Sequence, residues 1–253
     1  MQPDRRVEPE QLDRLDPADR HAIRSRADLR RLHRLMGTRG ILLRALRRLP
    51  HPPRRVLELG AGDGTLMLRV ARKLSMPAHG ETTAGWRDVR IALLDQHPVV
   101  VNDTLRAYAQ AGWHATPLLA NAESFLGLAS NLENGRAADA NRYHLIVANL
   151  FLHHFSVEDL RAMLASVASR CDAFIACEPR RSALALCGSR LVGLVGANAI
   201  TRKDAVLSVR AGFLGAELSA LWPSRPGWQV AEYPAGLFSH CFVAHRNPAG
   251  RSA

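Results

Sequence analysis

Between residues 19 and 49, apolar side chains recur at helical spacing, first at Ile23, Leu29, Leu32, Leu35 and Met36, then at Ile41, Leu42, Leu43, Leu46 and Leu49. The pattern predicts two amphipathic helices with arginine-rich outer faces, broken by Gly37 and Gly40 and ended by His51-Pro52-Pro53. From Arg55 the pattern changes. Short apolar runs at 56–59, 91–94, 114–119, 145–148 and 173–177 are each followed by helical spacing, as with Leu66, Met67, Val70 and Leu74. Strands alternating with helices predict a parallel sheet covered by helices on both faces. Two further runs, 228–233 and 238–244, are joined only by 234–237. So short a link cannot make a crossover, and the pair is predicted to be an antiparallel hairpin.

About fifty residues separate the fifth and sixth runs, where a crossover requires about a dozen. The surplus predicts a helical cap insertion at about 183–222, over the end of the sheet where ligands bind in such folds. The expected organisation is a basic N-terminal helical extension over 1–53 and an α/β domain over 54–253. No internal repeat or low-complexity tract interrupts it.

At 253 residues, 47% hydrophobic and 23% charged, the composition is that of an ordinary globular chain, which excludes disorder and collagen-like repeats. Charge is unevenly placed. Residues 1–56 hold 15 arginines against seven acids, hence eight of the eleven net positive charges. Such an arm can meet an acidic partner, an anionic membrane surface or nucleic acid, or can simply be a solvated helix face. Cys171, Cys177, Cys187 and Cys241 show no C-x-x-C spacing, which predicts free thiols in a reducing cytoplasm and no metal site. The N-terminus lacks the apolar core of a signal peptide. The most apolar stretch, 183–200, contains Arg190 and three glycines, so no membrane span is expected.

The sharpest chemical signal is Val56-Leu57-Glu58-Leu59-Gly60-Ala61-Gly62-Asp63-Gly64-Thr65, a strand running through three glycines into a helix. Gly60 allows a tight turn, Gly62 lets a ligand approach bare backbone, and Gly64 permits close packing of the helix start. A dinucleotide fingerprint needs glycine at 65, where Thr65 stands, and Glu58 and Asp63 would repel a pyrophosphate. There is no Walker pattern. S-adenosylmethionine is phosphate-free and carries an ammonium, a sulfonium and one carboxylate. The acids would face its cations, while amides at the helix N-terminus would take its carboxylate.

With these residues the sequence resembles the class I S-adenosylmethionine-dependent methyltransferases, of the small-molecule type that acts on quinols, phenols and polyketides. The resemblance covers about 54–182. It implies a Rossmann-like, seven-stranded, mostly parallel sheet with an antiparallel C-terminal hairpin, and S-adenosylmethionine as the cofactor. Ile91-Ala92-Leu93-Leu94-Asp95 ends in the acid with which the family binds both ribose hydroxyls. Asn121 and Ala122 stand where the family contacts adenine, with Asn121 in place of the commoner Asp. Tyr143-His144-Leu145-Ile146-Val147-Ala148-Asn149 resembles the fourth-strand motif, so Asn149 joins Glu58, Gly60, Gly62, Gly64, Asp95, Asn121 and Ala122 as a cofactor contact. The 77–86 stretch is treated as a surface insertion.

Methyl transfer is an in-line displacement that needs alignment, a dry site and, for a poor nucleophile, loss of a proton. Asn149 is followed by Leu150-Phe151-Leu152-His153-His154-Phe155 rather than by the two prolines and aromatic common in nucleic-acid amino methyltransferases, so base amines are disfavoured as substrates. A phenol titrates near 10 and imidazole near 6.5, so His153 or His154 is the candidate base, with His240 weaker. The alternative is a pair in which one histidine is buried to hold the loop and the other faces solvent. Glu178, in Cys177-Glu178-Pro179-Arg180-Arg181, can orient a substrate hydroxyl or a histidine, or can be a salt-bridged strand end. The expected activity is O-methylation of a phenolic or polyketide-like secondary metabolite, with membrane-surface contact through the basic helices. Two alternatives stay open. One is an RNA-modifying enzyme, disfavoured by 6% aromatic content; the other is a non-catalytic cofactor-binding module.

Overall fold

A computed structural model describes residues 4–76, 85–127 and 142–247. Seven strands form one sheet: β1 (Arg55–Leu59), β2 (Val89–Asp95), β3 (Trp113–Leu119), β4 (Tyr143–Asn149), β5 (Cys171–Pro179), β6 (Trp228–Ala235) and β7 (Ser239–Arg246). Their spatial order is β3-β2-β1-β4-β5-β7-β6. The first five are mutually parallel; β7 runs antiparallel to both β5 and β6. Each predicted run is thus a strand, most of them a residue or two longer than the apolar core that signals them. Order reverses on either side of β1, so the carboxyl ends of β1 and β4 border the crevice where such sheets bind ligands.

The helices are α1 (Arg20–Leu35), α2 (Thr38–Leu46), α3 (Thr65–Leu74), α4 (Asn102–Gln110), α5 (Ala122–Phe125), α6 (Val157–Arg170), α7 (Ala183–Arg190), α8 (Ala199–Ala211) and α9 (Glu217–Leu221). Strand side chains alternate between two cores. One holds Val56 and Val147 with Leu42 and Leu46 of α2 and Met67 and Val70 of α3. The other holds Leu57 and Phe174 with Leu160 and Leu164 of α6 and Leu218 of α9. Helices therefore cover both faces, and α2 is core. The break between the first two helices is at Gly37 alone, whose φ of 67° ends α1 and starts α2. Gly40, expected to share in that break, lies inside α2, where its backbone is ordinary helix.

Helix α1 docks on the far side through buried polar groups. Asp28 accepts the Asn198 N–H at 2.7 Å and the Thr201 hydroxyl at 3.3 Å, while Ser25 and Asn198 bond side chain to side chain. That pins α1 to the start of α8 and lays the arginine-rich segment across the sheet's carboxyl edge. Among the described residues no helix is long and apolar enough to cross a membrane. Cys171, Cys177 and Cys241 are buried free thiols and Cys187 is exposed. Of the stretch read as a surface insertion, 77–84 lies outside the described residues.

Candidate active site

The glycine loop has the backbone that its residues allow. Gly60, Gly62 and Gly64 all lie at positive φ, 65°, 55° and 71°, a region costly to any residue with a Cβ. Their surroundings differ. A Cβ on Gly60 would sit 2.4 Å from Cδ2 of Phe151, and one on Gly64 would sit 3.0 Å from Leu93, whereas one on Gly62 would meet nothing within 4 Å. Gly62 faces open space because it borders a cavity of about 380 Å³, whose walls also include Glu58, Gly60, Asp95, Asn121, Ala122 and Asn149. Seven of the eight expected cofactor contacts thus share one cavity. Gly64 does not line it; it is where α3 begins and packs on β2.

Four amides of the loop and helix start are occupied. Asp95 accepts the N–H of Gly62 at 2.8 Å and of His97 at 2.9 Å, Asp63 accepts that of Thr65 at 3.0 Å, and Ala61 and Gly64 donate to backbone carbonyls. Of the amides expected to seat a carboxylate at this helix start, those of residues 61, 62, 64 and 65 bond within the protein. Asp63 is bound to the Arg30 guanidinium at 2.6 Å and is no free anion. Asn121 spends its side-chain oxygen capping α5, on the Glu123 N–H at 2.7 Å.

Four residues of the cavity wall carry unbonded polar atoms. Glu58 Oε2, Asn149 Oδ1, His33 Nε2 and His97 Nε2 are buried without a hydrogen-bond partner, and all four belong to residues in its wall. Buried polar groups are ordinarily paired, and four unpaired ones in the residues walling one cavity are groups left for a polar ligand to satisfy. Burial, reinforced by Asp63 and Asp95, pushes the Glu58 carboxyl well above the usual range. Burial also lowers His33 to about 4, so its ring is neutral. Sequence reasoning missed His33 and Arg30, which reach the cavity from α1. A signal existed, because His33 falls on the apolar stripe of Leu29, Leu32 and Met36.

At the end of β4, Leu150 adopts φ 49°, an unusual conformation for a leucine and one that clusters at functional sites. It turns the chain so that the N–H groups of Phe151 and Leu152 both reach Glu178 Oε1 at 3.0 Å. The other oxygen, Oε2, lies 2.8 Å from His153 Nδ1. Glu178 is fully buried and outside the cavity wall. Of the two uses expected for it, this geometry is that of a group orienting a histidine. His153 Nε2 faces Glu10 Oε1 at 3.3 Å. Burial alone would lower the His153 pKa, but the hydrogen bonds to Glu10 and Glu178 outweigh it and push it up to about 9. The ring is held as imidazolium, with no lone pair to accept a proton at neutral pH. His154, one-quarter exposed, places Nδ1 3.2 Å from Asp13.

Glu10 and Asp13 arrive from the N-terminal segment, which is strapped down. Arg5 donates to the carbonyls of Ala211 at 2.8 Å, His153 at 3.2 Å and Phe155 at 2.9 Å, and Asp204 accepts the N–H groups of Gln11 and Leu12. His240 is spent elsewhere, buried against Glu232 at 2.7 Å and outside the cavity wall. Arg181 pairs with Glu217.

No protein-family model matches the sequence, and no curated protein matches it. Solved structures do. The chain is similar to the plantazolicin methyltransferase BpumL in complex with SAH, with a TM-score of 0.57 at 9% identity over 91% of this chain and 92% of that one. It is similar to the plantazolicin methyltransferase BamL, bound to a triazolic desmethylPZN analog and SAH, with a TM-score of 0.54 at 11% identity over 89% of each chain. An O-methyltransferase family protein from Burkholderia thailandensis matches with a TM-score of 0.53 at 15% identity; 92% of this chain is covered, but only 63% of that one. This chain has the Rossmann-like methyltransferase fold.

Set on that fold is a second cavity of about 360 Å³, walled largely by aliphatic side chains: Leu32 and Leu35 of α1 with Met36 just after it, Leu191 and Val192 after α7, and Ala205 and Val209 of α8. It shares Glu10, Leu12, Leu29, Leu150 and Ser208 with the first cavity, so the two adjoin at the corner that holds the histidines. Helix α8 lines this wall with Thr201, Asp204, Ala205, Ser208 and Val209.

Proposed function

We propose that the protein transfers a methyl group from S-adenosylmethionine to an oxygen of a small amphiphilic molecule of phenolic or polyketide-like type. The observation that carries the reading is the grouping of residues with unbonded buried polar atoms beside the bare Gly62 backbone, in the wall of a cavity that adjoins an apolar one. The residues fit the cofactor. Asp95 would hold the ribose hydroxyls, Asn121 and Ala122 would flank adenine, and Glu58 and Asn149 would face the ammonium. Arg26 and Arg30 in the same wall are cationic counterparts for its carboxylate. The solved proteins of the same fold that carry SAH support the reading.

S-adenosylmethionine, when bound, supplies an electrophilic methyl on a sulfonium. This chain's part is to align the acceptor, keep water out and help the acceptor oxygen shed its proton. The aliphatic cavity takes the acceptor's apolar body. Its hydroxyl then lies at the shared corner, among Glu10, Asp13, His153 and His154, with Glu178 positioning His153. The segment from Glu10 to Met36 contributes to the walls of both compartments, and that from Ala185 to Val209 to the wall of the second.

The test is incubation of the purified chain with isotopically labelled methyl donor and host extract, followed by mass spectrometry. A metabolite gaining one labelled methyl on oxygen is the expected result. Failure of the chain to bind SAH by calorimetry, or labelling confined to RNA, would overturn the proposal.

A further inference from the structure

Glu10, His153 and His154 each offer a ligand atom, and the three atoms lie within 4.8 Å of one another at the corner between the two cavities. We propose that this corner is a binding site for one divalent transition-metal ion. Two imidazoles and a carboxylate are a donor set suited to Zn²⁺, Co²⁺, Fe²⁺ or Mn²⁺, with the remaining coordination positions left to water or substrate. Zinc–nitrogen bonds are about 2.0–2.1 Å, which puts neighbouring ligands of a tetrahedron about 3.3 Å apart. Glu10 Oε1 and His153 Nε2 already stand 3.3 Å apart.

The surroundings are those of a metal centre in a second respect. A metal-binding histidine characteristically donates its other ring N–H to a carboxylate, which fixes its tautomer and aims the ligand nitrogen. His153 does this toward Glu178, a fully buried acid whose remaining oxygen is fixed by two backbone N–H groups. Asp13 stands beside His154 at 3.2 Å. Glu10, Asp13 and Glu178 set three carboxylates around two imidazoles, an excess of negative charge that a dication offsets. Coordination would replace the contact between Nε2–H and Glu10 by nitrogen–metal and metal–oxygen bonds, releasing that proton to solvent.

The site stands independently of the cofactor. Its function rests on the proposed methyl transfer: open positions on the ion face the place given to the acceptor hydroxyl, whose oxygen the ion would bind and whose pKa it would lower. None of the four cysteines takes part.

The experiment uses the full chain, stripped with chelator, in a Cys187→Ser background so that the exposed thiol does not contribute. Zn²⁺ and Co²⁺ are titrated by calorimetry, Co²⁺ also by its visible absorption bands, and SAH is titrated in the same samples. One equivalent of metal is expected, with affinity at least tenfold weaker in Glu10→Gln and in His154→Gln, and about 10–100-fold weaker in Glu178→Gln. Folded protein that takes up no stoichiometric metal, or that binds it equally well in Glu10→Gln and His154→Gln, overturns the site. Because SAH is read separately, metal uptake without SAH binding would leave the site standing and remove the cofactor reading.

Discussion

Replacing Gly62 by alanine separates the needs of the fold from those of the ligand. The added Cβ meets no atom within 4 Å, so the folded chain should bear only the strain of an alanine at φ 55°. That is about 1–2 kcal/mol. For a chain of this size each kcal/mol lowers Tm by about 2–4 °C, so the variant should melt about 2–8 °C below the parent. Gly60→Ala is the contrast. Its Cβ would lie 2.4 Å from the Phe151 ring, which packs edge-on against Phe155, so an overpacking cost of about 1–3 kcal/mol adds to a similar strain. Binding should follow a different order from stability. SAH at a hundred times Kd stabilises a protein by about 2.7 kcal/mol, a rise of about 5–11 °C in the parent. A Gly62→Ala chain binding a hundredfold more weakly would keep about 0.4 kcal/mol of that, or 1–2 °C. Melting curves with and without SAH, checked by calorimetry, give both quantities. Wild-type SAH affinity in Gly62→Ala would refute the claim that the ligand approaches this backbone. Stability lost beyond that of Gly60→Ala would refute the claim that the space beside it is open.

Three other outcomes are expected. Glu58 keeps its proton in the folded chain well above the pH at which the unfolded chain releases it, so stability should fall as pH rises past the ordinary carboxylate range; Glu58→Gln should remove that fall, and a difference between the two proteins that does not change between pH 4 and pH 8 in denaturant titrations would contradict the assignment. Asp95→Ala leaves the N–H groups of Gly62 and His97 without their acceptor, which should cost about 1–3 kcal/mol of stability and, separately, about 1.5–3 kcal/mol of SAH binding; unchanged SAH affinity would remove Asp95 from the cofactor site. Filling the aliphatic cavity with Ala205→Trp should abolish methyl incorporation into extract metabolites while leaving SAH affinity intact, and undiminished incorporation would mean that the acceptor binds elsewhere.

The fold was legible because its information is local. Apolar runs of strand length, helical spacing between them and a four-residue link before the last strand are all contained within short windows, and each predicted strand is present. The glycine loop was legible for the same reason: three glycines after a buried strand admit few backbones. Boundaries were less so, because hydrogen bonding along a ladder extends a strand past its apolar core, as at Tyr143 and Pro179. Gly40 misled because glycine permits a break without requiring one, and the packing of α2 on the core holds it helical.

The sequence by itself determined the strand order's class, the crevice and most of the residues that wall it, since these follow from patterns along the chain. Only the tertiary structure decided what those residues are bonded to. Asp63 meets Arg30 from 33 positions away, His153 meets Glu10 across 143, and the Gly62 amide meets Asp95 across 33. Charge and hydrogen-bond partners act through space over a few ångströms, so no spacing in the sequence encodes them until the N-terminal segment is folded across the sheet.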